Sequence, residues 1–191
     1  MAKAIIVMDY MNELVHPDGK FKARGYPQFE QDNQVLDKTK LAVELARKKG
    51  FLVIYVKFGF TKDYKDLPKN SPLFALAKKF QAVQLDTWAT EFHEKLEVRD
   101  EDKIILKHRV SPFYGTYLDA YLRVNNVDEL FLCGVSTDLV VQSAAREAHD
   151  MDYKVNVLSD CCVAGNEEDH LNSLETLKKI STVETFEKLL N

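Results

Sequence analysis

The segment that decides the fold is LFLCGVSTDLVV, residues 130–141. Its first four residues, Leu130–Cys133, form a short apolar run of the kind found in buried parallel strands. The small residues of Gly134–Thr137 follow, and an amphipathic pattern typical of a helix begins near Asp138. We expect Asp138 to cap that helix with its carboxylate. A strand that turns through small residues into a helix is the repeating unit of a parallel α/β sheet, so this stretch predicts that fold class.

The same alternation of strand and helix extends along the rest of the chain. Strands are predicted at Ala4–Met8, Phe51–Val56, Ile104–Leu106, Glu129–Leu132 and Val155–Leu158. Helices are predicted at Asn33–Lys49, Leu73–Lys79, Tyr117–Val124, Leu139–His149 and Glu168–Lys179. The polar stretch Thr61–Asn70 predicts a long loop of the type that forms lids or pocket walls. No linker interrupts the pattern, so we predict a single domain over residues 1–191, with helices on both faces of a parallel sheet.

The composition of the chain restricts the kinds of binding partner and the cellular compartment that we expect for it. The 191 residues carry a net charge of -4, with 46% hydrophobic and 29% charged residues, as expected for one globular domain. The acidic balance argues against nucleic acid or an anionic membrane as a partner. The apolar run Ala4–Met8 is too short for a secretory signal, and no apolar stretch is long enough to span a membrane. Three cysteines, two of them adjacent, favour reduced thiols, so we expect a cytoplasmic protein.

Ligands of a parallel α/β sheet bind beyond the carboxyl ends of its strands. The polar features that follow predicted strands are Asp9, Lys57, Lys107, the turn at 134–138 and Asp160. A partly buried carboxylate such as Asp9 suits proton transfer, because burial raises its pKa. Lys107 can orient that carboxylate and stabilise an anion, while backbone N–H groups of the turn form an oxyanion site. Each residue also has a plainer interpretation: Asp9 as a cap or turn residue, and Lys107 as a surface lysine.

Together these elements resemble the isochorismatase-like cysteine hydrolase superfamily, which includes nicotinamidases, N-carbamoylsarcosine amidases and isochorismatases. The resemblance covers nearly the whole chain and is carried by Ala4–Asp9 with Asn12, Lys107 with Ser111–Leu118, Gly134–Asp138, the helix residues Ala144, Arg146 and Ala148, and Tyr153–Asp160. It implies a three-layer, Rossmann-like α/β/α fold around a six-stranded parallel sheet. It also implies an oligomer, so we expect a homo-oligomer, and a cis peptide bond between Val135 and Ser136.

Val140 stands at the position where the amidase branches of the superfamily carry their nucleophilic cysteine. A valine can neither attack a carbonyl carbon nor accept a proton, so acyl transfer through a thiol is excluded at this position. We interpret Cys133 as a buried apolar residue, and we expect Cys161 and Cys162 to lie further from the site. Ser136 stands in the turn itself but has no obvious histidine base.

Two branches of the superfamily are informative about cofactor and substrate. Nicotinamidases carry an Asp-x-His…His metal site after the second strand, whereas residues 56–61 here contain no histidine. The five histidines show no ligand spacing, so we predict neither a metal nor another cofactor. Isochorismatases keep the aspartate and the lysine but lack the cysteine, and their aspartic acid is thought to protonate a vinyl ether before water attacks. Their turn reads Gly-Val-Tyr-Ala-His, unlike residues 134–138, which argues against isochorismate itself.

The main hypothesis is a hydrolase of a small organic molecule, either a vinyl ether, an amide or an ester. Asp9 would be its acid or base and Lys107 the electrostatic partner, with water in place of a thiol. Backbone N–H groups near Ser136 and Val140 would polarise the substrate, and Val140 would form an apolar floor. Four aromatic residues are candidate walls, although each also fits the core or a subunit interface: Phe60, Trp88, Phe113 and Tyr114. The alternatives are a catalytically inactive member that binds a metabolite or a protein, and an engineered variant of a natural thiol enzyme in which Val140 replaces the cysteine.

Overall fold

The computed structural model describes residues 2–190, and its framework is one sheet of six parallel strands. The strands are β1 Ala2–Met8, β2 Leu52–Phe58, β3 Lys103–Lys107, β4 Val127–Val135, β5 Lys154–Val163 and β6 Thr182–Glu184. Their order is β3-β2-β1-β4-β5-β6, and all neighbours pair in parallel. The predicted α/β fold with a six-stranded parallel sheet is therefore confirmed.

The central strand β1 owes its position to its composition. The five residues Ala4–Met8 are apolar and have no exposed surface, because β2 and β4 flank the strand on either side. A continuous apolar run of this kind is stable only where both faces of the sheet are covered. The chain moves from β1 to β2 in one direction and later from β4 to β5 in the other. The carboxyl ends of β1 and β4 therefore border the crevice in which such sheets bind ligands.

The connections supply eight helices within residues 2–190. They are α1 Asn12–Val15, α2 Tyr26–Asn33, α3 Val35–Lys48, α4 Ala75–Phe80, α5 Leu118–Val124, α6 Gln142–Asp150, α7 Glu167–Leu177 and α8 Phe186–Leu190. Helix α3 packs on the sheet beside α8, and α6 packs beside α7. Right-handed crossovers that run in opposite directions from the centre of the sheet place these two pairs on opposite faces. None of the described helices is both long and apolar enough to cross a membrane.

The predicted helix at Asn33–Lys49 is wrong at its start. Helix α2 ends at Asn33, Gln34 adopts a left-handed backbone conformation with φ of 54°, and α3 begins at Val35. A left-handed residue cannot continue a right-handed helix, so the chain changes direction there. The sequence does not predict α2, because the helix is short and mixes aromatic, proline and charged residues without a clear helical period.

The junction between β4 and α6 differs from the prediction in its capping. A π-helical turn, Thr137–Val141, precedes α6, and Ser136 occupies the N-cap position without a side-chain capping bond. Asp138 therefore lies inside the first turn, and its predicted role as the cap is wrong. Its Oδ1 is buried without a hydrogen-bond partner in the described part of the chain. Strand β4 approaches β1 closely at Gly134, where a Cβ atom would lie 2.7 Å from the Met8 carbonyl oxygen.

Candidate active site

A buried ion pair joins the carboxyl ends of β1 and β3. The Lys107 Nζ donates a hydrogen bond of 2.7 Å to the Asp9 Oδ2, and both residues are almost completely buried. Asp9 follows the last residue of β1 with φ of 63°, and Lys107 is the last residue of β3. The topology of the sheet thus brings together two residues that are 98 positions apart in the sequence.

Lys107 uses all three of its N–H donors within the protein. Besides the bond to Asp9, it donates to the carbonyl oxygens of Arg109 and Val110, each at 3.0 Å. Its Nζ also lies 5.2 Å from the ring centre of Phe58, the last residue of β2. These contacts fix the ammonium group in position, which suits a residue that orients a carboxylate better than one that attacks a substrate.

The second oxygen of the Asp9 carboxyl group is free of such contacts. Asp9 Oδ1 is buried and has no hydrogen-bond partner among residues 2–190. Burial raises the pKa of Asp9 to about 6, although the neighbouring Lys107 acts in the opposite direction. Burial likewise lowers the pKa of Lys107. A carboxyl group that titrates near neutrality and keeps one oxygen uncommitted is suited to giving or taking a proton.

The turn after β4 lies beside this pair. The peptide bond between Val135 and Ser136 is cis, and the Ser136 carbonyl accepts hydrogen bonds from Leu139 and Val141, on either side of Val140. Ser136 Oγ is buried without a partner in the part of the chain that the structure describes. The first N–H groups of a helix have no carbonyl partners within it, so a turn at this place can supply backbone donors to a ligand.

Thr137 ties the turn to the segments that follow it. Its Oγ1 donates a hydrogen bond of 3.1 Å to the Val163 carbonyl oxygen at the end of β5. The same oxygen lies 3.0 Å from His170 Nδ1 on α7. Because a hydroxyl group has one hydrogen, the His170 Nδ1 is the donor in the second bond. No local pattern in the sequence links Thr137 to His170, so these hydrogen bonds could not be predicted from the sequence.

A cavity opens above the ion pair and the turn. The space open to the centre of a water-sized sphere is about 60 Å³, enough for about four to six water molecules or a small organic group. The predicted site residues Asp9, Lys107, Val135, Ser136 and Val140 all line it. The remaining lining residues are Leu14, Phe21, Arg24, Tyr26, Phe58, Leu73, Phe74, Ala77, Val83, Val110 and Leu139.

The four aromatic residues predicted as walls lie outside this lining, which corrects the prediction. Phe60 is fully buried and packs edge-to-face on Phe74, behind the wall. Phe113 is buried against Tyr153, the residue directly before β5. Trp88 and Tyr114 are exposed by 45% and 66%. Their positions follow from tertiary packing that the local sequence does not reveal.

The walls come instead from two segments that the sequence analysis left without a role. Residues 21–26 supply Phe21, Arg24 and Tyr26, and residues 73–83 supply a second apolar side. Phe58 completes the lining because β2 ends there, two residues later than predicted. Only Phe58 had a usable signal, namely its place two residues after a predicted strand. Lys57 lies within β2, and Asp160 lies within β5, where it accepts a hydrogen bond from the Phe186 N–H.

None of the three cysteines of the chain lines the cavity. Cys133, Cys161 and Cys162 are free thiols and are all buried. Burial raises the pKa of Cys133 and Cys161 well above the usual value and that of Cys162 to about 12. The reactive thiolate form is therefore strongly disfavoured at neutral pH. Among residues 2–190, no group of three histidine, cysteine or acidic side chains is arranged to hold a metal ion.

Comparison with known proteins identifies the family. Residues 3–188 match the isochorismatase domain, and the chain belongs to the isochorismatase family, as predicted. It is 33% identical over 153 residues to the uncharacterized isochorismatase family protein YecD of Escherichia coli O157:H7, covering 80% of this chain and 79% of that protein. It is 27% identical over 188 residues to the ureidoacrylate amidohydrolase RutB of Acinetobacter baylyi, covering 92% and 76%. An isochorismatase family protein from Desulfovibrio vulgaris shares the fold, with a TM-score of 0.87, 22% identity, and coverage of 98% and 96%.

Breaking the buried Asp9–Lys107 pair should lower the stability of the protein. In Lys107→Met the Asp9 carboxylate loses its cation, and we expect the free energy of unfolding to fall by about 3–5 kcal/mol. The loss should grow between pH 5 and pH 8, because a carboxyl group whose folded-state pKa is raised destabilises the fold as it ionises. The double variant Asp9→Asn/Lys107→Met should lose less than Lys107→Met alone, since no unpaired charge remains.

Urea unfolding of the variants at several pH values measures these differences. The control is Lys188→Met, which removes an exposed pair with Glu184 and should cost less than about 0.5 kcal/mol. A Lys107→Met variant as stable as the wild type, or a double variant less stable than either single one, would contradict the prediction.

Proposed function

We propose that this protein is a hydrolase of a small organic molecule that uses Asp9, Lys107 and a water molecule in place of a thiol nucleophile. The observation that carries the proposal is the Asp9–Lys107 pair at the floor of a small cavity, with one carboxyl oxygen of Asp9 uncommitted. Val140 lines the same cavity, and we take it, from the resemblance to the amidase branches, as the residue at the position of their nucleophilic cysteine. The likeness to a protein named as an amidohydrolase supports hydrolysis as the type of reaction.

The proposed chemistry depends on the substrate. With an amide or an ester, the Asp9 carboxylate takes a proton from water as the water attacks the carbonyl carbon, and the same proton then passes to the leaving group. The developing oxyanion accepts hydrogen bonds from backbone N–H groups near Ser136 and Val140. With a vinyl ether, protonated Asp9 gives its proton to the terminal carbon, and water adds to the resulting oxocarbenium ion and returns a proton to the Asp9 carboxylate. The hemiacetal formed in this way then breaks its C–O bond and releases an alcohol and a carbonyl compound. Lys107 stabilises the carboxylate form of Asp9 in both cases.

We further propose that residues 1–191 act as a single domain without a nucleophilic cysteine. The continuous sheet, to which strands from both ends of the chain contribute, supports one domain. The burial of Cys133, Cys161 and Cys162 away from the cavity supports a mechanism that needs no thiol, and three free buried thiols suit a reducing compartment such as the cytoplasm.

A catalytically inactive protein that binds a small metabolite or a protein partner is the second candidate. The observation that favours it is Val140, an apolar residue of the cavity lining at the position where, by the resemblance, the amidase branches carry their nucleophile. This candidate predicts that a ligand raises the melting temperature of the protein while no product forms. Steady product formation by the wild type would exclude it.

The variant Asp9→Asn tests the main proposal, because it keeps the shape of the side chain and removes the group that carries the proton. We expect turnover to fall by about 100-fold or more. Product is measured by mass spectrometry with phenyl acetate, benzamide and phenyl vinyl ether and with a ring-carboxylated derivative of each, so that uncharged and anionic substrates are both covered. Asp63→Asn, at an exposed carboxylate outside the cavity, should retain wild-type turnover. Unchanged turnover in Asp9→Asn, or inactivation of the wild type by iodoacetamide, would overturn the proposal.

The pH profile separates the two kinds of substrate. We expect kcat/KM to change with an inflection near pH 6, where Asp9 titrates. It should fall above this pH for a vinyl ether, because the protonated form is the acid, and rise for an amide or an ester, because the carboxylate is the base. Rates are measured at constant ionic strength, with Asp63→Asn as the control. A profile without an inflection between pH 5 and pH 7 would argue against a proton-transfer role for Asp9.

We also propose a homo-oligomer in which a second copy of the chain covers the edge of the sheet at β3. Ile104 and Leu106 expose apolar side chains from this edge strand, and Tyr117, exposed by 51%, donates a hydrogen bond to the Ile104 carbonyl oxygen. Light scattering of the purified protein should give at least twice the mass of one chain, and Leu106→Lys should reduce it. Leu171→Lys, at an exposed residue of α7, is the control. A wild-type monomer at micromolar concentration would refute this assembly.

A further inference from the structure

The cavity contains a third charged residue that the proposed reaction does not use. Arg24 lines the cavity, and its guanidinium carbon lies 5.4 Å from the ring centre of Phe21, a residue of the same wall. Its side chain makes no ion pair and no hydrogen bond with any other residue in the described part of the chain, 2–190. Half-buried arginines of folded proteins usually find a carboxylate or carbonyl partner, so this guanidinium has unused donors at a ligand-sized space.

The balance of charge in the cavity gives the sign of the missing partner. Asp9 and Lys107 neutralise each other at 2.7 Å. The other lining residues are uncharged, and most of them are apolar. Arg24 therefore leaves one uncompensated positive charge, which attracts an anionic group on a molecule that enters the cavity.

The backbone of Arg24 is held tightly against the segment that follows β5. Gly25, with φ of 87°, packs so closely on Gly165 that a Cβ atom at position 25 would lie 2.2 Å from the Gly165 carbonyl oxygen. A Cβ atom at position 165 would likewise lie 2.7 Å from the Arg24 carbonyl oxygen. This contact fixes the base of the arginine side chain before a ligand arrives, which lowers the entropy lost on binding.

We propose that Arg24 binds a carboxylate group of the ligand, so that the molecule accepted by the cavity is a small carboxylic acid. A guanidinium group is planar and offers two parallel N–H donors that match the two oxygens of a carboxylate. A single positive charge balances a single negative one, and the small volume leaves no room for a nucleotide. The inference deepens the proposed function, because it names the substrate class. That the bound acid is hydrolysed rests on the proposed function, whereas the binding of its carboxylate by Arg24 does not.

Binding measurements test the inference independently of turnover. Isothermal titration of the wild type uses four carboxylates and their uncharged amides: acetate with acetamide, acrylate with acrylamide, benzoate with benzamide, and phenylacetate with phenylacetamide. At least one carboxylate should bind about 10-fold or more tightly than its amide, which is the effect expected of a charge-assisted hydrogen-bonded pair. Arg24→Met should abolish this preference, and Arg24→Lys should retain part of it.

The matched control is Lys22→Met. Lys22 lies in the same helical turn as Arg24, Lys22–Arg24, but it is exposed and lies outside the cavity lining, so this variant removes one positive charge without changing the cavity. It should keep the wild-type preference. Failure of all four carboxylates to bind at millimolar concentration, or a preference that survives in Arg24→Met, would overturn the inference. Asp9→Asn separates it from the proposed function, because this variant should lose turnover and still prefer the carboxylate.

Discussion

The arrangement of the site depends on an ion pair between two strands that are not neighbours. β2 lies between β1 and β3, so the Asp9–Lys107 contact spans two strand spacings, about 10 Å. Only a long side chain can cross this distance, and Lys107 does so beside the Phe58 ring at the end of β2. The register of the sheet, in which Lys107 is opposite Phe58 and Val56 is opposite Met8, brings the two charged ends to the same level. A buried charge without a partner destabilises the fold, so a shift of register that separated Asp9 from Lys107 would be unfavourable. The ion pair therefore stabilises this register.

The second constraint is the close approach of β4 to β1. Because no Cβ atom fits at Gly134, the last residues of β4 come near enough to Met8 for the following turn to reach the crevice beside Asp9. The turn is then anchored from the other side, where Thr137 joins the ends of β5 and α7. The position of Val140 is therefore fixed by the backbone of two strands, and it does not depend on the side chain that stands there.

Sequence reasoning succeeded where local pattern and topology carry the information. The apolar run Ala4–Met8 marks a buried strand, and the rule that ligands bind at the carboxyl ends of strands led to Asp9 and Lys107, whereas the family resemblance led to Val140; all three line the cavity. The residues of the cavity walls could not be predicted from the sequence, because tertiary contacts such as the one between Gly25 and Gly165 bring their segments to the cavity. The capping role assigned to Asp138 failed for a related reason: a π-helical turn moves the start of the helix to Ser136.

The origin of the cavity lining has a consequence for how this scaffold diversifies. The charged pair stands on strand ends within the buried sheet, whereas most of the wall comes from residues 14–26 and 73–83, which lie outside the sheet. Substitutions in those two stretches alter which molecule fits without disturbing the Asp9–Lys107 pair or the strands that carry it. Selection can therefore act on molecular recognition and on the buried ion pair as separate traits, and a lineage can exchange one ligand for another while the sheet and its Asp9–Lys107 pair stay intact.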